Sequence, residues 1–250
     1  MSTTTKQHLA ERDARDSIFG RILVGIDDSP ESLEAARQAA TLAAGPVTLL
    51  TAYEMIDAIV GGGGGMPPAP VYVDEQPVRR RAEESLERAR NELAPLEPVG
   101  KVAKGRSWEA LLDEIEREHD TMVAVGSHGA GRAKGILIGS TATELVHRAP
   151  CSVLVARKTL KAFPRSIVVG VDGSKESAVA DAVALDLAER FGAQLDRYES
   201  VDQPVSTLVD AAIEAELLVV GSRGLHGIKA LGSVSERVAH QTRSSVLIVR

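Results

Sequence analysis

The last stretch of this chain repeats an earlier one. Gly232 to Arg250 aligns with Gly139 to Arg157 without a gap, at a constant offset of 93. A Gly-Ser pair, His147 and His240, Ser-Val-Leu at 152–154 and 245–247, and a closing arginine all recur. Upstream, the run from Ile22 to Ser29 (ILVGIDDS) is echoed by Ile167 to Ser174 (IVVGVDGS). An internal repeat on this scale restricts 250 residues to two related units built to one plan.

Each unit carries a strand, a glycine loop and a helix in succession. Thr121 to Val125 is an apolar, partly β-branched run ending in Gly126, which reads as a buried parallel strand. Gly126-Ser127-His128-Gly129 follows, then nine residues, then Gly139-Ser140-Thr141, which opens a helical stretch through Glu144, Leu145 and Arg148. A helix that begins after a small, glycine-rich loop offers free backbone N–H groups and a partial positive charge, a setting suited to phosphate. The second copy is Val219-Val220-Gly221-Ser222-Arg223-Gly224 with Gly232-Ser233.

The rest of the first unit alternates strands with helices. Arg21–Ile26 reads as a strand, and Asp28-Ser29-Pro30-Glu31 is a helix start with its cap, first-turn proline and early carboxylate. Leu33, Ala36, Ala40 and Ala43 form the expected buried stripe of that helix, and Gly45-Pro46 ends it. Strands at Val47–Tyr53, Val99–Ala103 and Ser152–Ala156 and helices at Val78–Ala94 and Ser107–His119 complete the pattern. Trp108 opens an amphipathic helix and reads as packing. Gly61 to Gly65 lacks the lysine of a phosphate loop and reads as a linker or lid. Alternation of this kind gives a parallel sheet with helices on both faces. Ligands of such sheets bind beyond the carboxyl ends of the strands where strand order reverses. Asp27 and Gly126 would meet there if their strands are neighbours.

Composition removes several classes of function. The net charge of −6 and pI near 5.6 argue against nucleic acid as a partner. Arg79-Arg80-Arg81 is followed by Glu83, Glu84 and Glu87, the pattern of a solvated helix face. The single cysteine, Cys151, rules out an internal disulfide and reads as a small core residue. No apolar run has the length of a membrane span, so no membrane partner is expected. Residues 1–18 are polar and read as a disordered lead-in to a cytoplasmic protein. His128 has no evident carboxylate partner and reads as a loop residue.

With strand-end Gly25-Ile26-Asp27, the Gly126-x2-Gly129-x9-Gly139-Ser140 loop and the doubled arrangement, the sequence resembles the universal stress protein family from about Arg21 onward. The resemblance implies two tandem Rossmann-like α/β domains, similar to adenine nucleotide α-hydrolases, with a five-stranded parallel sheet. It divides the chain into domain one at 19–157, a linker at 158–165 and a shortened domain two at 166–250. It also implies ATP, with Mg as a companion where phosphates need one, and a regulatory role rather than efficient catalysis. Carried over, Asp27 would hold the adenine or ribose side, Gly25 would admit the nucleotide, and Ala52 would offer backbone groups to the adenine. Gly126, Ser127 and Gly129 would line ribose and phosphates, and Gly139, Ser140 and Thr141 would cap the phosphates. Arg132 and Lys134, between the halves of the motif, would either screen phosphate charge or stand as solvated loop cations. Glycine suits 126, 129 and 139 where a Cβ would obstruct close approach or a positive φ.

Asp172 to Gly221 spans 49 positions where Asp27 to Gly126 spans 99, so about one strand and one long helix are missing from the second unit. Phe191 to Leu195 reads as the entry to the second strand, yet Tyr198 to Val205 already reads as the third, leaving the adenine-facing strand end without a clear equivalent. One competent site, in the first unit, is therefore expected, with the second as its structural partner. Ser152–Val155 and Ser245–Val249 would pair as sheet edges into an intramolecular pseudo-dimer. A homodimer and an unidentified protein partner stay open, and the alternatives are a slow ATPase or a nucleotide-free protein-binding scaffold.

Overall fold

The computed structural model describes residues 19–55, 59–60, 69–70, 74–129, 138–159, 162–199, 204–222 and 234–250. The expected disordered lead-in, the glycine run at 61–65, Arg132 with Lys134, and Gly224, Gly232 and Ser233 of the second loop lie outside them.

The first half runs β1 (Ile22–Ile26), α1 (Pro30–Leu42), β2 (Val47–Tyr53), α2 (Gln76–Glu92), β3 (Val99–Lys104), α3 (Ser107–Glu118), β4 (Met122–Gly126), α4 (Ser140–Arg148) and β5 (Ser152–Ala156). A two-residue antiparallel ladder joins Ile59–Val60 to Ala69–Pro70. The second half runs β6 (Ser166–Val171), α5 (Lys175–Phe191), β7 (Gln194–Glu199), α6 (Pro204–Ala211), β8 (Leu217–Gly221), α7 (Val234–Gln241) and β9 (Ser245–Val249).

All nine strands join one sheet in the order β3-β2-β1-β4-β5-β9-β8-β6-β7. Every neighbouring pair is parallel except β5 and β9, which run antiparallel with Leu154 opposite Leu247. The last strands of the two halves are thus central strands of a shared sheet. Val153, Leu154, Val246 and Leu247 are fully buried there, where an open apolar edge would otherwise stand.

Strand alternation sends side chains into two cores that each cross both halves. Ile22, Val24 and Ile26 face α1, α2 and α5, whereas Leu23 faces the layer of α3, α4, α6 and α7. On α2 the stripe Ala82, Leu86 and Ala89, continued by Leu93 at its C-cap, is buried as its spacing requires. On α1 the buried set is Ala35, Ala36, Ala39 and Leu42, and Leu33, Ala40 and Ala43 are only partly covered. Of the expected stripe Ala36 is buried, whereas Leu33, Ala40 and Ala43 each sit one position past the buried Ser32, Ala39 and Leu42, because an alanine-rich helix has too little contrast in side-chain size to set its own rotation. Cys151 is buried in the second core, and burial pushes its thiol up to about 12. Among the described residues no helix is long and apolar enough to cross a membrane.

The second half departs from the sequence reading at one place. Gln194–Glu199 pairs along β6 from Ser166 to Val171, so it is the counterpart of the second strand and not of the third. The chain then passes through α6, the equivalent of α3. What the described residues of this half lack is a counterpart of α2 and of edge strand β3. The deletion therefore removes the outer edge of the sheet and spares its centre. Among the described residues the strand without a counterpart is β3, so the expectation that the end of the second strand is missing is corrected.

Candidate functional site

In the first half, β1 connects outward to β2 and β3, and the chain then returns to β4 on the other side of β1. Strand order reverses between β1 and β4, which pair from Ile22 opposite Met122 to Val24 opposite Ala124. Beyond their carboxyl ends lies a cavity of about 330 Å³. Its apolar floor comes from Leu50, Leu111 and Val125, and its polar wall from Asp27, His128, Ser140 and Thr141.

Each wall has a local cause. Ser29 caps α1, accepting the Ser32 N–H at 3.1 Å, with Pro30 in the first turn. The Asp27 carboxylate turns back over this cap: its Oδ1 accepts the Ser29 N–H at 2.9 Å and the Ser29 hydroxyl. Its Oδ2 lies toward the glycine loop, where a Cβ on Gly129 would stand 2.6 Å from it. Gly126 is needed for a different contact, since a Cβ there would meet the Glu31 backbone at 2.7–2.9 Å. The same approach recurs in the second half, where a Cβ on Gly221 would stand 2.6 Å from the Glu176 backbone.

Gly139 differs. Its φ is −69°, and a Cβ would meet neighbours only at 3.7 Å, so neither a positive φ nor packing within the chain demands glycine. As the N-cap of α4 it offers no side chain, and the first turn of α4 carries no carboxylate. The first N–H groups of α4 therefore meet no side-chain acceptor from the cap at the cavity mouth, where an anion would be stabilised.

Eight of the expected residues, Gly25, Asp27, Ala52, Gly126, Gly129, Gly139, Ser140 and Thr141, are brought together around this one cavity. Ser127 is not part of its lining. It is buried as a brace for the loop: its N–H donates to the Ala156 carbonyl at 2.9 Å and its carbonyl accepts the Gly139 N–H at 2.7 Å. Its hydroxyl lies 3.1 Å from His128 Nδ1. His128, read from sequence as a plain loop residue, lines the cavity with a buried Nε2.

Leu50 and Ser107 were missed, although both had a signal. Leu50 precedes Ala52 by two and so shares its face of β2. Ser107 opens the helix beyond β3 by the same strand-end rule that placed Asp27. At the end of β2, Tyr53 donates to the Glu75 carboxylate at 2.6 Å, and Lys104 Nζ lies 2.5 Å from the other oxygen. The Lys104 hydrogen bond, then that of Tyr53, holds the Glu75 carboxyl below its ordinary value. The same bond to Glu75 raises the Tyr53 hydroxyl. This cluster fixes where α2 starts relative to the ends of β2 and β3.

A nine-stranded α/β sheet with a glycine-loop cavity at the strand-order reversal defines a Rossmann-like α/β protein. A sequence profile described as the universal stress protein family matches residues 19–157 and 197–250, and the chain belongs to that family. It is 29% identical over 287 residues to a universal stress protein of Mycobacterium tuberculosis, an alignment covering 92% of this chain and 96% of the relative. A universal stress protein of Mycolicibacterium smegmatis is 30% identical over 287 residues at the same coverage. The crystal structure of a universal stress protein from Archaeoglobus fulgidus superposes with a TM-score of 0.67 at 18% identity, covering 92% of this chain and 96% of that one.

Proposed function

We propose that this chain is a regulatory protein that binds one adenine nucleotide, ATP, in the cavity of its first half. The observation that carries the reading is the convergence on one 330 Å³ space of an apolar floor, a strand-end carboxylate and an uncapped helix N-terminus. These three suit a base, a ribose and a phosphate chain respectively, and the volume falls within the usual span of ligand pockets. In this reading Leu50, Ala52 and Leu111 flank the adenine, Asp27 takes the ribose hydroxyls, and Gly139 to Thr141 hold the phosphates. Among the described residues no group of three or more metal-ligating side chains occurs, so Mg would arrive held by the phosphates.

Binding rather than turnover is the assigned role. Asp28, the other acid at the strand ends, is engaged by Arg81 at 3.5 Å, by Ser85 at 3.4 Å and by Arg88. Residues 19–157 would carry the site, and 166–250 would serve as its structural partner across the β5–β9 pairing. Calorimetric titration of ATP into the purified chain tests this, together with identification of small molecules released on denaturation. One nucleotide per chain is expected. No heat and no released nucleotide would overturn the reading in favour of a protein-binding scaffold.

A further inference from the structure

The two closing arginines of the repeat are exchanged between the halves. Arg157 follows β5 of the first half, and its Nη2 donates to the Ala239 carbonyl on α7 of the second at 2.9 Å. Arg250 follows β9 of the second half, and its guanidinium donates to the Val146 and Ala149 carbonyls at the end of α4 in the first. Val146 and Ala239 occupy the same place in the repeat. The backbones exchange likewise: Arg157 N–H donates to Ser245 Oγ at 3.0 Å, and Arg250 N–H to Ser152 Oγ at 3.2 Å.

At the far end of α4 lies the first-half cavity. The last carbonyls of a helix have no partner within it, and a cation placed there satisfies them and opposes the helix dipole. Arg250 does this for α4, and a third carbonyl, that of Cys151, lies 3.4 Å from it. The amino end of α4, from Gly139 to Ala142, lines the cavity. Only nine residues, about 13 Å of helix, separate the two ends. In its last turn Arg148 lies 4.8 Å from the centroid of the Trp108 ring, next to cavity-lining Ser107.

We infer that Arg250 is a positioning residue for the first-half site: by holding the carboxyl end of α4, it sets where the amino end presents its N–H groups. Nucleotide binding in the first half then depends on the second half, and by linkage nucleotide tightens the contact between them. The inference rests on the nucleotide reading of the cavity.

The test uses the full chain and the variants Arg250→Ala, Arg250→Lys and Arg157→Ala. Three readouts are taken: ATP affinity by calorimetry, hydrogen exchange across 140–148, and fluorescence of Trp108, the sole tryptophan. The last two are also recorded without nucleotide. Arg250→Ala is expected to weaken ATP binding by about fivefold or more, to speed exchange along α4 and to shift Trp108 emission. Arg157→Ala removes the mirror contact and should loosen α7 while leaving ATP affinity and Trp108 unchanged. Arg250→Lys, which keeps the charge but loses the fork, should fall between wild type and Arg250→Ala, and it carries the test if the alanine variant fails to fold. Wild-type affinity in Arg250→Ala, or equal weakening by Arg157→Ala, would overturn the inference. If the wild type binds no ATP, the nucleotide reading fails. The ligand-free exchange and fluorescence then still decide whether Arg250 holds α4.

Discussion

Gly129 and Asp27 both line the cavity, and a β-carbon on Gly129 would stand 2.6 Å from Asp27 Oδ2. A side chain there must displace the one carboxylate oxygen that the Ser29 cap does not hold. Gly129→Val is therefore expected to lower ATP affinity by at least about tenfold, worth ~1.4 kcal/mol. Gly129 is itself exposed, so the fold should be little affected. Calorimetry and a thermal melt on the same sample separate the two effects.

Gly126 should behave in the opposite way. Its neighbour is the Glu31 backbone, which cannot rotate aside as a side chain can. Gly126→Ala is expected to cost about 1–3 kcal/mol of stability by forcing β4 from α1. Chemical denaturation read by Trp108 fluorescence measures the loss. An unchanged midpoint would mean that α1 shifts freely.

Leu247 sits opposite Leu154 in the only antiparallel pairing of the nine-stranded sheet, with β8 on its other side. Leu247→Pro removes a backbone donor from a central strand and should cost about 3 kcal/mol or more. Solution scattering should show an expanded particle, and a compact one would count against the shared sheet.

His240 lies at the same junction, beside Glu236, Arg157 and His147. Burial, with Arg157 and His147 adding to it and Glu236 opposing, lowers its pKa from the ordinary 6.5. Folding thus favours the neutral ring. Its contribution is complete above about pH 6.5 and is lost as the pH falls through the lowered folded value. Replacing it by glutamine should flatten the fall in stability between pH 7.5 and 5, measured by urea unfolding at each pH. Parallel curves would place the acid sensitivity elsewhere.

Short-range chemistry is legible in the sequence. Ser29-Pro30 announced α1, the β-branched runs announced β1, β4 and β5, and the 93-residue offset announced two halves joined through their last strands. Asp27 and Gly126 could be placed on one crevice because strand ends at a strand-order reversal converge by topology, whereas Gly25 and Ala52 were placed there only by the family resemblance. Less legible were features that depend on contrast or on distance. The rotation of α1 was lost among alanines, and Tyr198 was assigned to the wrong strand because β-propensity does not say which neighbour a strand will pair with.

By itself the sequence determined the alternation of strand and helix, the doubled plan, the glycine loop and a deficit of about one strand and one helix in the second half, without saying which strand. Each of these is set by periodicity or by spacing along the chain. Only the tertiary structure decided that Ser127 braces the loop, that His128 faces the cavity, and that Arg250 reaches across to the helix whose other end lines it. Those contacts join residues as much as 104 positions apart. Their energies depend on burial and hydrogen-bond geometry, which no local stretch of sequence specifies.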